Sequence, residues 1–339
     1  MKQWKRATAA ALFLALCLLA LSLSGCGFWN SLLSTAIQTE YPFAEYYSTG
    51  STTLEGGADR IHLTWLYGTV HVRTHKEDTL EIREAANLGV TTDYEVHWWH
   101  RTEGDETVLN IAFSASGIRD FGDLEKDLIL TLPEDALSYL GITVDTADVK
   151  VELGEGAALG SLLLTSLGGK VDVSLPSAET AELSAHCSAA AHEEKSLFRF
   201  TSTGKIGKLS MNTVYTALDV SLRDADEVTL RGAGKEIFLR GNDVGKVDVS
   251  SSTGKTQIYL QDYSDITAAS NRGQITMTLP ASRGFTLTVS PDAGGEKPRQ
   301  VEVHFEGAET LGDRTTYGDG EGKITVSTGG TLEVTPFID

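Results

Sequence analysis

Short runs of alternating apolar and polar residues dominate the chain from residue 59 onwards. Such alternation places the apolar side chains on one face of a β-strand, and helical periodicity is almost absent. The first runs cover residues 61–67, 69–73, 80–83, 95–99, 108–113 and 128–132. Gly68 separates the first two runs, and Pro133 follows the last. We therefore predict a β-meander over residues 59–133, with a hairpin turn at Gly68 and a strand end at Pro133.

A constant step of 19 residues orders the apolar positions in the second half of the chain. The two columns of this repeat are Leu209, Val228, Val247, Ile266 and Phe285, and Met211, Leu230, Val249, Ala268 and Leu287. Because the columns are two residues apart, both lie on the same face of a strand. A glycine turn and a second short strand follow most steps, most clearly at residues 237–239, 258–260 and 275–279. Each repeat is therefore predicted to contain two short strands.

This repeat predicts that residues 134–335 form an all-β, single-stranded-type β-solenoid. One coil cannot bury its apolar face alone, so stacked coils share a continuous core. The strand edges at the two ends of such a stack need caps, for which residues 59–133 and 299–335 are the candidates. Residues 183–208 have no clear register. An up-and-down β-sandwich with regular hairpins is the alternative, and the constant step favours the solenoid.

The first 25 residues have the composition of a secretory signal. Lys2, Lys5 and Arg6 precede an apolar stretch over residues 9–21. That stretch is shorter than the ~20 residues that a membrane-spanning helix needs. A cleaved signal peptide is therefore favoured over a permanent membrane helix.

The segment Leu23-Ser24-Gly25-Cys26 resembles the bacterial lipobox. The resemblance implies cleavage before Cys26 and attachment of diacylglycerol to its thiol, and two acyl chains anchor a protein stably. We expect a signal peptide over residues 1–25 and a lipidated cysteine with a tether over residues 26–58. The expected location is the extracytoplasmic face of the cell membrane. A plain secretory signal with a chance cysteine is the alternative.

The order of the motifs along the chain resembles that of a known family. Leu128-Ile-Leu-Thr-Leu-Pro133 precedes the glycine-flanked repeats, and residues 317–334 contain two glycine turns that each lead into a strand. This order resembles the bacterial putative-adhesin β-repeat family of unknown function, over about residues 59–335. The resemblance implies a right-handed β-helix-like domain that is extracytoplasmic or tethered to a membrane. It carries over no catalytic residues.

The charge and the cysteines limit the partners and the chemistry. The formal net charge is −19, and the part after residue 25 carries −22 because the three basic residues of the leader are lost. Such a surface repels phosphate backbones, so we expect no nucleic-acid partner. Of the three cysteines, only Cys187 lies beyond the leader and the lipobox. It has no partner for an intramolecular disulfide, and we expect it to be a small core residue.

Motifs of catalysis and cofactor binding are absent from the sequence. The chain has no phosphate-binding glycine loop, no Gly-x-Ser-x-Gly, no His-Glu-x-x-His and no Cys-x-x-Cys. We therefore expect no enzymatic activity, no catalytic residue, no cofactor and no metal site. Two alternatives to the absence of a metal site remain: a metal ion held by His62 and His71 facing each other across the hairpin, and weak Ca²⁺ binding by acidic turns. Those turns contain Asp224, Asp226, Asp243, Asp262 and Asp265.

The aromatic stretch over residues 94–99 is the best candidate for a contact surface. On an alternating strand Trp98 and Trp99 point to opposite faces. One of them is expected in the core, and the other is a candidate contact residue for a sugar ring or a protein.

Three functional hypotheses follow. The leading one is a non-catalytic, adhesin-like binding or scaffolding module of the cell envelope, with a glycan or protein partner. The second is an accessory or sensory component of an envelope membrane system. The third is a β-helix carbohydrate-active enzyme, which would need carboxylates stacked on neighbouring coils. Asp172, Asp219 and Asp248 are the candidates for such a group.

Overall fold

The computed structural model of the protein describes residues 40–134, 137–186 and 197–337. These residues form 24 β-strands and no α-helix, which confirms the prediction of an all-β chain. Two short 3-10 segments, Ala44–Tyr46 and Thr92–Tyr94, are the remaining helical turns of this part of the chain. The predicted signal peptide, Cys26 and Cys187 lie outside the described residues.

No helix within the described ranges has both the length and the apolar character that crossing a membrane requires.

The strands have the following bounds. The first eight are β1 (Ser48–Thr49), β2 (Thr52–Glu55), β3 (Arg60–Trp65), β4 (Gly68–His75), β5 (Thr79–Ala86), β6 (His97–Glu103), β7 (Glu106–Ala112) and β8 (Lys126–Pro133). The next nine are β9 (Leu137–Val144), β10 (Asp148–Glu152), β11 (Leu159–Ser166), β12 (Val171–Leu175), β13 (Ala178–His186), β14 (Leu197–Val214), β15 (Ala217–Ala233), β16 (Ile237–Ser251) and β17 (Thr256–Ser270). The last seven are β18 (Gln274–Pro280), β19 (Phe285–Ser290), β20 (Gln300–Val303), β21 (Glu309–Leu311), β22 (Arg314–Tyr317), β23 (Gly322–Thr328) and β24 (Thr331–Phe337).

Hydrogen bonds join the strands into two long runs, here named run A and run B, which share four strands. Run A has the order β1, β6, β7, β3, β9, β11, β13, the C-terminal parts of β14 to β17, β23, β19, β22 and β21. Run B has the order β2, β5, β8, β4, β10, β12, the N-terminal parts of β14 to β17, β18, β24 and β20. Pairing is parallel from β7 to β19 in run A and from β8 to β20 in run B.

The 19-residue columns lie in register on neighbouring strands of run A. Leu209, Val228, Val247 and Ile266 are consecutive strand partners, and each is at most 2% exposed. The second column, two residues further along, is aligned and buried in the same way. The repeat therefore places its apolar side chains one above another in a shared core.

The last step of the predicted column is wrong. Phe285 is buried, but it is not the partner of Ile266, which pairs with Ile324 of β23 instead. Phe285 lies beyond β23 and pairs with Gly322. β23 therefore pairs with β17 at the position that the 19-residue step assigned to Phe285.

The two short strands predicted for each repeat are joined into single long strands. β16 runs from Ile237 to Ser251 and contains the second strand of one repeat and the first strand of the next. Its pairing with β15 and β17 is interrupted at Asn242 and at Gly245, where the strand passes from run B to run A. Because successive repeats have the same length, hydrogen bonds resume on both sides of this bend without a separate turn.

The predicted meander over residues 59–133 is wrong. β3 and β4 do not form a hairpin: β3 pairs in parallel with β7 and β9 in run A, and β4 pairs in parallel with β8 and β10 in run B. Gly68 has a positive φ of 93°, and a Cβ atom there would clash with the backbone of Lys126. This glycine therefore permits the close approach of β8 rather than a two-strand turn.

The ends of the stack also differ from the prediction. β23 lies between β17 and β19, and β24 lies between β18 and β20, so the closing strands are inside the stack. At the other end, β1 and β2 belong to residues that were assigned to a tether, and they pair with β6 and β5. These pairings satisfy the backbone hydrogen-bonding groups of β1 and β2. The sequence of both strands is too polar to show the alternation that predicts a strand.

Candidate contact site

Both tryptophans of β6 are half-buried, and they have different surroundings. Trp98 packs against the core, opposite Ile111 of β7, and its indole N–H donates a hydrogen bond to the Gly50 carbonyl at 3.0 Å. Trp99 points to the other face, opposite Asn110, and contacts residues that precede β1. Trp99 is therefore the residue of this pair that lies on the outer face, away from the core.

An aromatic cluster surrounds Trp99, and it is defined here as Tyr41, Phe43, Tyr46, Tyr47 and Trp99. The ring centroid of Trp99 lies 5.4 Å from Phe43, 5.7 Å from Tyr46 and 5.9 Å from Tyr47. Tyr46 is stacked on Trp99 at an interplanar angle of 24°. Phe43 and Tyr46 are 51% and 60% exposed, which is unusual for aromatic side chains in contact.

The local backbone explains how Phe43, Tyr46 and Tyr47 reach one tryptophan, while the Tyr41 ring packs against Tyr47. Phe43 adopts a left-handed conformation with a φ of 62°, and the 3-10 turn Ala44–Tyr46 follows it. This tight turn reverses the chain ahead of β1, which pairs with β6 at Trp98. The segment before the turn is held by the Tyr41 hydroxyl, which donates to the Ser114 carbonyl at 2.8 Å.

Arg101 adds a positive charge to the cluster. It lies two residues after Trp99 on the same face of β6, and its guanidinium carbon is 4.0 Å from the Trp99 ring centroid and 5.7 Å from that of Phe43. Glu103 pairs with the guanidinium. Within the described ranges, the buried Arg101 Nε has no hydrogen-bond partner. This buried N–H group lies in the guanidinium that packs over the Trp99 ring.

The aromatic cluster borders a cleft of about 240 Å³ on the outer face of run A. Its lining includes the polar side chains of His62, Asn110 and Ser114. Burial raises the pKa of both Tyr41 and Tyr47, and Arg101 opposes this effect at Tyr47. Both phenols are therefore protonated at neutral pH and can donate hydrogen bonds.

The imidazole of His62 is neutral in this environment. Burial and, secondarily, the charge of Arg60 lower the pKa of His62. Neutral donors and acceptors next to exposed aromatic faces suit an uncharged polar ring such as a sugar. Of the two tryptophans predicted as a possible contact surface, Trp99 lines the cleft and Trp98 does not.

The three aspartates of the enzyme hypothesis do not come together. Asp172 and Asp219 lie on the outer face of run B with Arg199 between them, at 3.6 and 3.4 Å from its guanidinium nitrogens. Asp248 lies on run A and forms a two-pronged ion pair with Arg231. Each carboxylate is thus paired with an arginine rather than with a second carboxylate.

The predicted acidic turns are partly stacked. Asp224, Asp243 and Asp262 are consecutive strand partners at the bends of β15, β16 and β17. Arg283 pairs with Asp262 at one end of this column, and Lys205 is the strand partner of Asp224 at the other. Basic side chains of the chain itself therefore face the acidic column.

The alternative in which His62 and His71 face each other across a hairpin does not occur, because β3 and β4 lie in different runs. His71 Nε2 lies 2.9 Å from a carboxylate oxygen of Glu152. The ring of His62 packs against Tyr139 with the centroids 5.0 Å apart.

The aromatic residues before β1 were missed by sequence reasoning, which assigned them to the tether. Residues 41–47 contain four aromatic side chains within seven positions. A flexible spacer rarely has this composition, since disordered segments are poor in aromatic residues. The high density of aromatic residues over residues 41–47 was the signal in the sequence that this segment is ordered.

Comparisons with known proteins give distant similarities only. No protein-family model matches the chain, and no curated protein matches it in sequence. Among solved structures, a putative cell adhesion protein from Clostridium sporogenes is 13% identical, covering 86% of this chain and 100% of its own, with a TM-score of 0.22.

Two further structures are putative adhesins, one from Bacteroides fragilis and one from Parabacteroides merdae. The protein from Bacteroides fragilis is 11% identical, covering 86% of this chain and 97% of its own, with a TM-score of 0.36. The protein from Parabacteroides merdae is 12% identical, covering 85% and 95%, with a TM-score of 0.36.

Proposed function

We propose that the protein is a lipid-anchored, non-catalytic binding module on the extracytoplasmic face of the cell membrane. Its body is a β-solenoid of the right-handed β-helix type, and its cleft at Trp99 contacts a sugar ring of an envelope glycan. The observation that carries this function is the aromatic cluster, with Phe43 and Tyr46 exposed beside a cleft that contains hydrogen-bond donors.

The solenoid is supported by the strand register. Between β14 and β17 every strand is paired in parallel with the equivalent strand of the next repeat. The same strands take part in both runs, so each repeat contributes once to run A and once to run B. Such repetition yields an extended, rigid face that suits a polymeric partner.

Glycan binding is supported by the chemistry of the cleft. A sugar ring has apolar C–H faces and a rim of hydroxyl groups. Trp99 and Phe43 line the cleft with aromatic rings for the former, and Asn110, His62 and Arg101 offer hydrogen-bonding groups to the latter. The stacked carboxylates that a carbohydrate enzyme of this architecture would need are not brought together at Asp172, Asp219 and Asp248.

Replacement of Trp99 by alanine tests the cleft. We expect Trp99→Ala to weaken retention on envelope glycans by about tenfold or more, because an aromatic residue at the centre of a contact is commonly worth more than ~1.4 kcal/mol. Binding is measured on immobilised glycan fractions. Tyr259→Ala is the matched control, since Tyr259 stacks on Phe337 in run B, away from the cleft. Equal retention of both variants would reject the cleft as the binding site.

Retention on a membrane protein but on no glycan would instead favour the accessory or sensory role in an envelope system. Co-purification from detergent-solubilised membranes distinguishes the two outcomes.

The lipid anchor is tested by Cys26→Ala. We expect loss of labelled palmitate from the protein, because the thiol of Cys26 is the proposed attachment point for the lipid. Cys187→Ala is the matched control and should keep the label. Continued labelling of Cys26→Ala would contradict the anchor and leave the proposal for the cleft unaffected.

A further inference from the structure

One edge of run B brings a histidine and two glutamates together. β20 is the last strand of this run, and β24 is its only strand partner among the described residues. Glu302 and His304 come from this edge, and Glu333 comes from β24. His304 Nε2 lies 3.4 Å from Glu302 Oε2 and 3.9 Å from Glu333 Oε1, and the three potential ligand atoms lie within 4.8 Å of one another.

The strand register holds these side chains on one face. Glu302 and Glu333 are direct partners on parallel strands. His304 is two residues after Glu302, and its backbone N–H donates to the Val334 carbonyl at 2.9 Å, which continues the pairing beyond β20. Residues i and i+2 of a strand share a face, so all three side chains project outward together.

The arrangement is poorly balanced in charge without a cation. Two carboxylates placed directly opposite each other on neighbouring strands repel. Gln300 Nε2 donates to Glu302 Oε1 at 2.6 Å, which orients this carboxylate and leaves Oε2 on the side of His304. A neighbour that orients a ligand in this way is a regular feature of metal sites.

We propose that Glu302, His304 and Glu333 bind one divalent transition-metal ion of the Zn²⁺ type. The donor set is one imidazole nitrogen and two carboxylate oxygens. Imidazole favours zinc and its neighbours in the first transition row, whereas Ca²⁺ and Mg²⁺ prefer oxygen ligands alone. Ligands bound ~2.1 Å from a tetrahedral ion lie about 3.4 Å apart. The separations of His304 from the two carboxylates need only a small side-chain adjustment to reach this value.

Metal binding at this position joins two strands. Because β20 is an edge strand with three of its four residues exposed, few contacts hold it in place. An ion bound by both β20 and β24 closes the end of the stack, and solvent can supply its remaining ligand. The site lies on run B, so it is independent of the proposed cleft on run A.

The full chain is first treated with a chelator. Its titration with Zn²⁺ is then measured by isothermal calorimetry, and its thermal unfolding is measured with and without the ion. We expect one ion per chain and a rise in the unfolding temperature, since a ligand that binds the folded state stabilises it. Ca²⁺ and Mg²⁺ at the same concentration should give no such rise.

Variants assign the ion to these residues. His304→Ala and Glu333→Gln should each weaken Zn²⁺ binding by about tenfold or more and abolish the temperature shift, without lowering the unfolding temperature of the metal-free protein. His71→Ala is the matched control, because His71 faces the single carboxylate of Glu152. Absence of Zn²⁺ binding, or equal binding by the wild type and His304→Ala, would overturn the proposal.

Discussion

Lys126 is the least expected residue of the core. Its ammonium group is fully buried, 2.5 Å from Glu84 Oε1 and 2.8 Å from the Tyr94 carbonyl, with the Phe113 carbonyl also in contact. The Phe113 ring centroid is 4.2 Å from the same nitrogen. Burial lowers the pKa of Lys126, and the hydrogen bond to Glu84 acts in the opposite direction. The charge is thus kept in the core by several partners at once.

Breaking this pair should destabilise the protein strongly. Lys126→Met leaves the Glu84 carboxylate buried without its partner, and we expect a loss of about 3–5 kcal/mol in the free energy of unfolding. Replacing both residues, in Lys126→Met/Glu84→Gln, should recover much of that loss, because the uncharged glutamine can still accept the hydrogen bond from the Val96 N–H. Urea denaturation measures both values, with exposed Lys170→Met as the control. A double variant as unstable as Lys126→Met would show that the buried charge of Glu84 is not the cause.

Individual residues of this kind were not predictable from the sequence. Lys126 lies among Asp123, Glu125 and Asp127, and such a charged segment resembles a solvated loop. Its burial depends on Gly68, whose missing side chain lets β4 approach the backbone of Lys126. This contact joins residues far apart along the chain, and no local pattern indicates it.

At the scale of the strands, the 19-residue step also orders the charges. Lys208, Glu227, Lys246, Asp265 and Lys323 are consecutive partners on the outer face of run A, with alternating sign. The Nζ of Lys208 lies 3.6 Å from a carboxylate oxygen of Glu227. Opposite charges on directly paired positions of neighbouring strands are stabilising, so this ladder supports the parallel register.

Reversal of the central charge tests the ladder. Lys246→Glu places a carboxylate between Glu227 and Asp265, and we expect a loss of about 1 kcal/mol in the free energy of unfolding. The loss should shrink in high salt, which screens exposed charges. Lys297→Glu, in an exposed turn, changes the net charge equally and should have little effect. Equal effects of the two variants would mean that net charge, rather than the register, is responsible.

The repeat was the most predictable element, because a constant step leaves one register for strands of equal length. Leu209 to Ile266 are aligned and buried as the sequence indicated. The two ends were less predictable. β3 is placed between β7 and β9, and β23 between β17 and β19, although these neighbours are distant in sequence. Alternation predicts that a segment is a strand, but it does not specify which strand is its partner.

The candidate site was predicted in part for the same reason. Trp99 was identified from its own strand, whereas Phe43 and Tyr46 reach it through a tight turn in a segment that lacks alternation. Glu302 and Glu333 became neighbours only through the parallel pairing of β20 with β24. Sites built across strands depend on the pairing, and the sequence fixes the pairing only where the repeat is regular.

At the scale of the whole molecule, the strands of run A follow one another in a single order from β9 to β23. Thr143, Ser250 and Ser327 occupy the same row of that stack. Ser250 lies five strand partners from Thr143, through Thr165, Ser184, Asn212 and Arg231, and Ser327 lies two further, through Ala269.

Spin-label distances along this row test the claim most directly. Nitroxide labels are placed on cysteines at Thr143 and Ser250, and at Thr143 and Ser327, in a chain whose own Cys187 is replaced by alanine. With a strand spacing of ~4.8 Å, double electron–electron resonance should give about 24 Å for the first pair and about 34 Å for the second. Similar distances for both pairs, or a shorter distance for the second, would contradict the stacked architecture.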